Sequence, residues 1–460
     1  MRSAPSPLTP NFAHRLTLGL GLFLSLILAL APDAAFAQET SMVAAKTFDS
    51  GDTAWIIVAT ALVLFMTMPG LALFYGGLVR SKNLLSVLMH CFAITCIGSV
   101  LWLVIGYSIA FGSNDAIWGG LENMFFAGIG DRLRDATSIP ESVFFIFQMT
   151  FAIITPGLIV GAYVERIKFS AVVIFTTLWL LLVYAPSAHW IWGGGLLSDM
   201  GWIHASLDGV AAMDFAGGLV VHANAGVAAL LLAKILGPRG GFPNDLRPPH
   251  NPGLVMVGAA MLWVGWFGFN GGSALAANNG AGMAILVTHI SAATACIVWS
   301  AIEWIKFGRP SLVGIATGAI AGLATVTPGA GFIGPAGALV YGALAAVICF
   351  YAISLVKRTM GIDDSLDVFA VHGVGGILGI LLTGAFADSS LGGVGLPEGR
   401  TIVVSVFGQI AALAVTVVWA GVVSYILIKV TQVLVGLRVG AEEESEGLDI
   451  TSHGERGYDL

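Results

Sequence analysis

Apolar runs of roughly 20 residues recur along this chain, separated by short polar or glycine-rich breaks. That is the length a helix needs to cross a bilayer. Eleven such spans are predicted, near residues 53–75, 84–111, 141–164, 169–190, 213–236, 253–270, 280–305, 312–328, 332–356, 367–386 and 401–435. A membrane β-barrel would need shorter, alternating segments, and none occur in the sequence. The expected fold is therefore an all-α polytopic membrane protein.

The first apolar run, residues 16–31, reads differently. It follows Arg2 and Arg15 and runs up to Ala35-Phe36-Ala37. A basic start, a short apolar core and a small-x-small site predict a secretory signal peptide over 1–37 rather than a twelfth helix. The membrane domain then covers 38–435, and a tail covers 436–460.

Composition agrees with this pattern. The 460 residues are 57% hydrophobic and 10% charged, too few charges to clothe a soluble protein of this size. Loop charge sets the orientation. With the N-terminus outside, Arg80, Lys82, Arg166, Lys168, Lys234, Arg239, Arg247, Lys306, Arg309, Lys357 and Arg358 fall on cytoplasmic sides. Only Lys46, Arg132, Arg134 and Arg400 fall outside. That bias follows the positive-inside rule and puts the C-terminus in the cytoplasm. The net charge of −7 comes partly from the acidic tail. Cys91, Cys96, Cys296 and Cys349 lie within predicted spans, with no ligand spacing, and read as small packing residues.

A weak internal repeat is visible. MPGLALFYGG (68–77) lies near the first span, and an Asp214–His222 element lies on the fifth. WFGFNGGS (266–273) lies near the sixth span, and an Asp364–His372 element lies on the tenth. Five spans is an odd number, so the two halves must run in opposite directions. Inverted repeats of this kind place their site at the midplane between the halves.

The histidines carry the sharpest chemistry. His222 sits in DFAGGLVVHANAG and His372 in DSLDVFAVHGVGG, each eight residues after its aspartate and about two turns into its helix. A single histidine would read as a core residue bonded to a backbone carbonyl. Two in matching contexts read as one shared pathway, because an ionisable group inside a membrane is costly without a use. Neutral imidazole both donates and accepts, so a facing pair can pass a small polar molecule or a proton. Asp214 has three readings: a direct ligand for a cation, an indirect source of negative potential that shapes the pore entrance, or a cap on a helix start. The second is preferred, as an indirect aid to recruitment. Asp364 lies in an acidic cluster with Asp363 and Asp367, and its role stays open.

Aromatics form a second constellation: Phe147 and Phe151, Trp192, then Trp266 and Phe269 with Ser273 following. Aromatic faces attract a weakly hydrated cation by roughly 0.5–2 kcal/mol each. A serine hydroxyl can accept from an ammonium-type donor. Taken singly these residues read as packing; taken with the histidines they read as a vestibule above a narrow pore.

These motifs, with PGLALFYGGLVRSKN (69–83), GLIVGAYVERIKF (157–169), AHWIWGGGLL (188–197) and the tail, resemble the ammonium transporters of the Amt/Mep/Rh family, on the bacterial Amt branch. The resemblance covers essentially the whole predicted mature chain. It implies eleven helices with an inverted five-helix repeat, a homotrimer and one pore per subunit. It implies recruitment at Trp192, Phe151 and Ser273, aided by Asp214, and a gate of Phe151 and Phe269. His222 and His372 line the pore, and Phe147 belongs to the vestibule. It further implies ammonium or ammonia as cargo and a bacterial inner-membrane location. A PII-type signalling protein is the implied partner at the cytoplasmic face. No cofactor, metal or nucleic acid is expected. Composition alone makes the tail, with seven acids after Ala441, a solvated segment; the resemblance implies an ordered regulatory one.

Three other classes compete. A metal transporter would need carboxylates or thiols in the pore, and the central spans lack them. An intramembrane enzyme would need a nucleophile or zinc motif, and none surrounds Ser273 or the histidines, so no enzymatic activity is expected. An ammonium sensor acting through the tail is the alternative that remains.

N-terminal sequencing of the protein purified from membranes is expected to begin at Gln38. An intact Met1 terminus would overturn the count of eleven spans.

Overall fold

The computed structural model describes residues 48–112, 115–198, 211–245, 247–397 and 399–458. The predicted signal peptide, Lys46 and Asp459 lie outside them. Among the described residues eleven helices are long and apolar enough to cross a membrane. They are α1 Ser50–Leu78, α2 Ser81–Phe111, α3 Glu141–Tyr163, α4 Phe169–Trp192, α5 Gly218–Leu236, α6 Pro252–Gly272, α7 Asn279–Phe307, α8 Leu312–Gly329, α9 Pro335–Thr359, α10 Phe369–Phe386 and α11 Ile402–Val435. No sheet forms among the described residues; two isolated bridges occur.

Sequence chemistry marks the ends. Asn251, Asn278, Ser311 and Thr401 each accept the backbone N–H three residues on, which satisfies a donor that the helix itself cannot. Gly308 closes α7 in the left-handed region, at φ 76°. One boundary departs further from expectation. α5 begins at Gly218, not near 213, because Gly217 adopts φ 119° and breaks the chain before the helix. α10 likewise begins at Phe369. Each histidine therefore lies in the first turn of its helix, and both aspartates lie outside.

Small residues let the helices touch backbone to backbone. A Cβ on Gly226 of α5 would stand 2.2 Å from the Cα of Gly373 on α10. α1 and α6, the first helices of the two halves, meet in the same way, with Gly265 against Met66 and Gly268 against Ala59 and Leu62. The outward faces stay apolar: Ile305 is 86% exposed and Val433 85%. In hydrocarbon that exposure costs nothing.

The Arg-rich end holds the buried charges. Arg239 pairs with Asp363 at 2.9 Å and Glu165 at 3.5 Å, and Arg80 pairs with Glu165 at 3.1 Å. Burial alone would raise both carboxyls. For Asp363 Arg239 outweighs it, and for Glu165 Arg239 and Arg80 do, so both stay below the usual carboxylate range. Arg166 is fully buried and donates to Gly237 O, Val164 O, Ala162 O, Asp363 O and the Ser365 hydroxyl. It ties the ends of α3 and α5 to the loop before α10.

The tail is docked here, not loose. Lys168 N donates to Leu437 O at 2.8 Å, and Val439 N to Arg166 O at 3.1 Å. Two short helices follow, α12 Ala441–Glu446 and α13 Leu448–His453. The start of α2 holds the second: Asn83 Oδ1 accepts from Leu448 N, and Ser86 N donates to Asp449 Oδ1, both at 2.8 Å.

Replacing Arg239 with alanine is expected to destabilise the fold by about 3 kcal/mol, since buried Asp363 loses its paired cation and Glu165 keeps only Arg80. Both carboxyls sit below their ordinary range, so Arg239 stabilises fully above roughly pH 4 and less as pH falls. The heat-aggregation midpoint in detergent should separate variant from wild type at neutral pH, and the gap should narrow in acid.

Candidate functional site

The hydrocarbon region offers no water to a helix that starts inside it, so the opening turns of α5 need local acceptors. Asp214 supplies them. Its Oδ1 accepts from Gly217 N at 2.8 Å and Gly218 N at 2.6 Å; its Oδ2 accepts from Leu219 N at 2.7 Å and Val220 N at 3.2 Å. The carboxylate is fully used as a cap, which is the simplest of its three sequence readings. The first turn is wide: His222 N bonds back five residues to Gly217 O at 2.9 Å. α10 repeats the device, with Val374 N bonding Phe369 O and Asp364 Oδ2 accepting from Phe369 N at 2.7 Å.

These two openings bring the histidines together. His222 and His372 face each other with ring centroids 5.3 Å apart and planes 21° apart. Their Nδ1 atoms are 3.3 Å apart. One Nδ1 must then donate and the other accept, so the pair holds one proton in its gap and presents one Nε2 acceptor and one Nε2–H donor outward. His222 Nε2 is buried without a protein partner.

A column of rings leads up from the pair. Phe269 lies 6.3 Å from His222, nearly parallel at 28°. Phe151 stacks on Phe269 at 4.2 Å. Trp192 stands edge-on to Phe151 at 5.9 Å and 87°. Phe147 packs on Phe151 at 5.0 Å, beneath Gly272, where a side chain would strike its ring. Ser273 lies one turn beyond Phe269 and donates its hydroxyl proton to Phe269 O at 2.8 Å. That bond leaves the serine oxygen free to accept. The Trp192 indole N–H is held by Asp214 O at 2.9 Å, which fixes the ring's angle.

The rings of Trp192, Phe147, Phe151, Phe269, His222 and His372 thus form one column, with Ser273 bonded to it at Phe269 O and Asp214 O at the Trp192 indole, eight residues in all. Trp266 adds a ninth. It stacks on His222 at 5.6 Å and donates its indole N–H to the Thr327 hydroxyl at 2.8 Å. The sequence placed Trp266 among the aromatics but gave no sign of Thr327, which lies in the last turn of α8.

The space along the path is small and dry. A cavity of about 10 Å³ touches both histidines and is otherwise lined by apolar side chains, Met66, Leu71, Ile154, Leu262 and Ile320 among them. It admits about one water-sized molecule. Below His372 a wider cavity of about 210 Å³ opens towards Arg239, Arg247, Lys357 and Asp367. Among the described residues no cluster of three metal-ligating side chains occurs. The geometry sets two facing imidazoles beside a small apolar cavity, under a stack of aromatic rings.

Known proteins share this arrangement of helices. The profile of the Ammonium Transporter Family matches residues 54–458. The ammonium transporter of Aquifex aeolicus is 43% identical over 442 residues, 95% of this chain and 99% of that protein. The ammonium transporter of Bacillus subtilis is 43% identical over 412 residues, 89% of this chain and 98% of its own. The solved structure of Candida albicans Mep2 superposes with a TM-score of 0.78 at 32% identity, covering 86% of this chain and 88% of that one. This chain belongs to the ammonium transporter family.

Proposed function

We propose that this protein carries ammonium or ammonia across the bacterial inner membrane through the ring-lined path. The N-terminus lies outside and the tail lies in the cytoplasm. The observation that supports it most is the facing pair of neutral-type imidazoles in an apolar cavity of about 10 Å³. Trp192, Phe151 and Ser273 recruit the cation: the rings face its charge, and the serine oxygen accepts one N–H. Asp214 serves indirectly by holding Trp192 and the start of α5. Phe147 walls the vestibule.

Size and charge do not separate ammonium from potassium; directional N–H donors and a removable proton do. A bare cation at mid-membrane costs roughly 2.5–3.5 kcal/mol or more. Ammonium escapes that cost by hydrogen bonding or by giving up its proton once past the Phe151–Phe269 gate. His222 and His372 then replace lost water for ammonia and relay the proton. Potassium has neither route. The chemistry calls for no cofactor. A homotrimer with one pore per subunit, and a PII-type protein closing the basic mouth, complete the reading and rest on the family resemblance. The docked tail favours a second reading, in which ammonium binding also signals.

Liposomes holding the purified protein provide the test. An inward ammonium gradient should drive current, and an equal potassium gradient should not. Replacing both His222 and His372 with leucine should abolish the ammonium current while the protein still assembles. A single His222→Glu should admit potassium, because a fixed negative charge favours either cation. Full, selective current in the double variant would make the histidines structural.

Deleting residues 436–460 should leave the trimer intact but lower or deregulate transport and remove PII-type binding. Unchanged transport and binding would reduce the tail to packing.

A further inference from the structure

α11 is apolar over most of its 34 residues, yet it buries one primary amide, Gln409, at 1% exposure. A buried amide in a membrane helix needs partners for both ends. Gln409 finds them across the bundle. Its Oε1 accepts from Met213 N at 2.8 Å, and its Nε2 donates to Met213 O at 2.7 Å and Ile380 O at 3.2 Å. Met213 belongs to no helix, so the amide supplies both bonds that a neighbouring strand would have supplied. The next residue is Asp214. Its carbonyl holds the Trp192 indole, and its carboxylate caps α5. Gln409 thus grips the polypeptide one residue before the atom that orients Trp192.

We infer that Gln409 is a positioning residue for the outer site: by clasping Met213 it sets the angle of the Trp192 indole and so tunes affinity for the cation. It touches no cargo and lies off the ring column. Loss of the clasp should weaken recruitment and leave passage through the pore alone. The inference rests on Trp192 being part of the recruitment site.

The experiment is methylammonium uptake into liposomes, read as half-saturation concentration and maximal rate. Q409L, close in size but without polar atoms, should raise half-saturation about fivefold to tenfold with maximal rate little changed. Q409E should behave as wild type near pH 6, where a protonated carboxyl accepts from Met213 N and donates to Met213 O. Its half-saturation, as a ratio to wild type, should climb towards pH 9 as the carboxyl ionises. W192L should raise half-saturation by itself, and the Q409L/W192L double variant should rise no further, since both changes break one chain of contacts. Additive effects, or a fall in maximal rate at unchanged half-saturation, would overturn the inference. If Q409L fails to assemble, Q409E decides, and a ratio flat with pH overturns it. Unchanged half-saturation in W192L would instead defeat the recruitment reading.

Discussion

The arrangement around the two histidines follows from a helix whose first N–H groups are buried and must still be satisfied. Water does this at an ordinary helix start; here one carboxylate accepts four of them. With Asp214 in that role, α5 can start at Gly218 with a wide turn and present His222 from its first turn. The break also frees Asp214 O for Trp192 and lets Phe215 N reach Pro328 O at 3.1 Å, where α8 stops short. The angle of the Trp192 ring and the start of the helix that carries His222 therefore both hang on one buried residue, Asp214.

The two halves repeat this plan with unequal chemistry. Asp364 occupies the place of Asp214 but accepts from Phe369 N, and its Oδ1 lacks a protein partner. Burial, then the neighbouring Asp367, pushes its carboxyl up to about 6. Beside it stand Arg166, Arg239 and Lys357, each tied to carboxylates or backbone oxygens. One mouth of the pore is thus walled by rings and the other by ion pairs. An inverted repeat supplies the frame, and local charge gives it a direction.

Much of this was legible in the chain. Hydropathy located all eleven spans to within a few residues, because bilayer thickness leaves a helix little choice of length. The histidines declared themselves by standing in long uncharged runs. Three features were not legible. The start of α5 turned on a glycine at φ 119°, a backbone state that hydropathy does not register. The Trp266–Thr327 and Gln409–Met213 bonds join residues 61 and 196 positions apart, and a lone polar residue in an apolar helix does not name its partner. Composition alone read the tail's acids as solvated, and nothing in the sequence marked Asn83 and Ser86, at the start of α2, as the residues that hold it.

The contact between Gly226 and Gly373 has a consequence for how such a conduit can vary. Main chain meets main chain there, with no room for even one added carbon. The approach of α5 to α10, and hence the spacing of the two imidazoles they carry, is set there by peptide groups and not by side chains. Ring spacing and wall chemistry are therefore separate variables: the side chains that wall the cavity can be refitted while the facing pair keeps its distance.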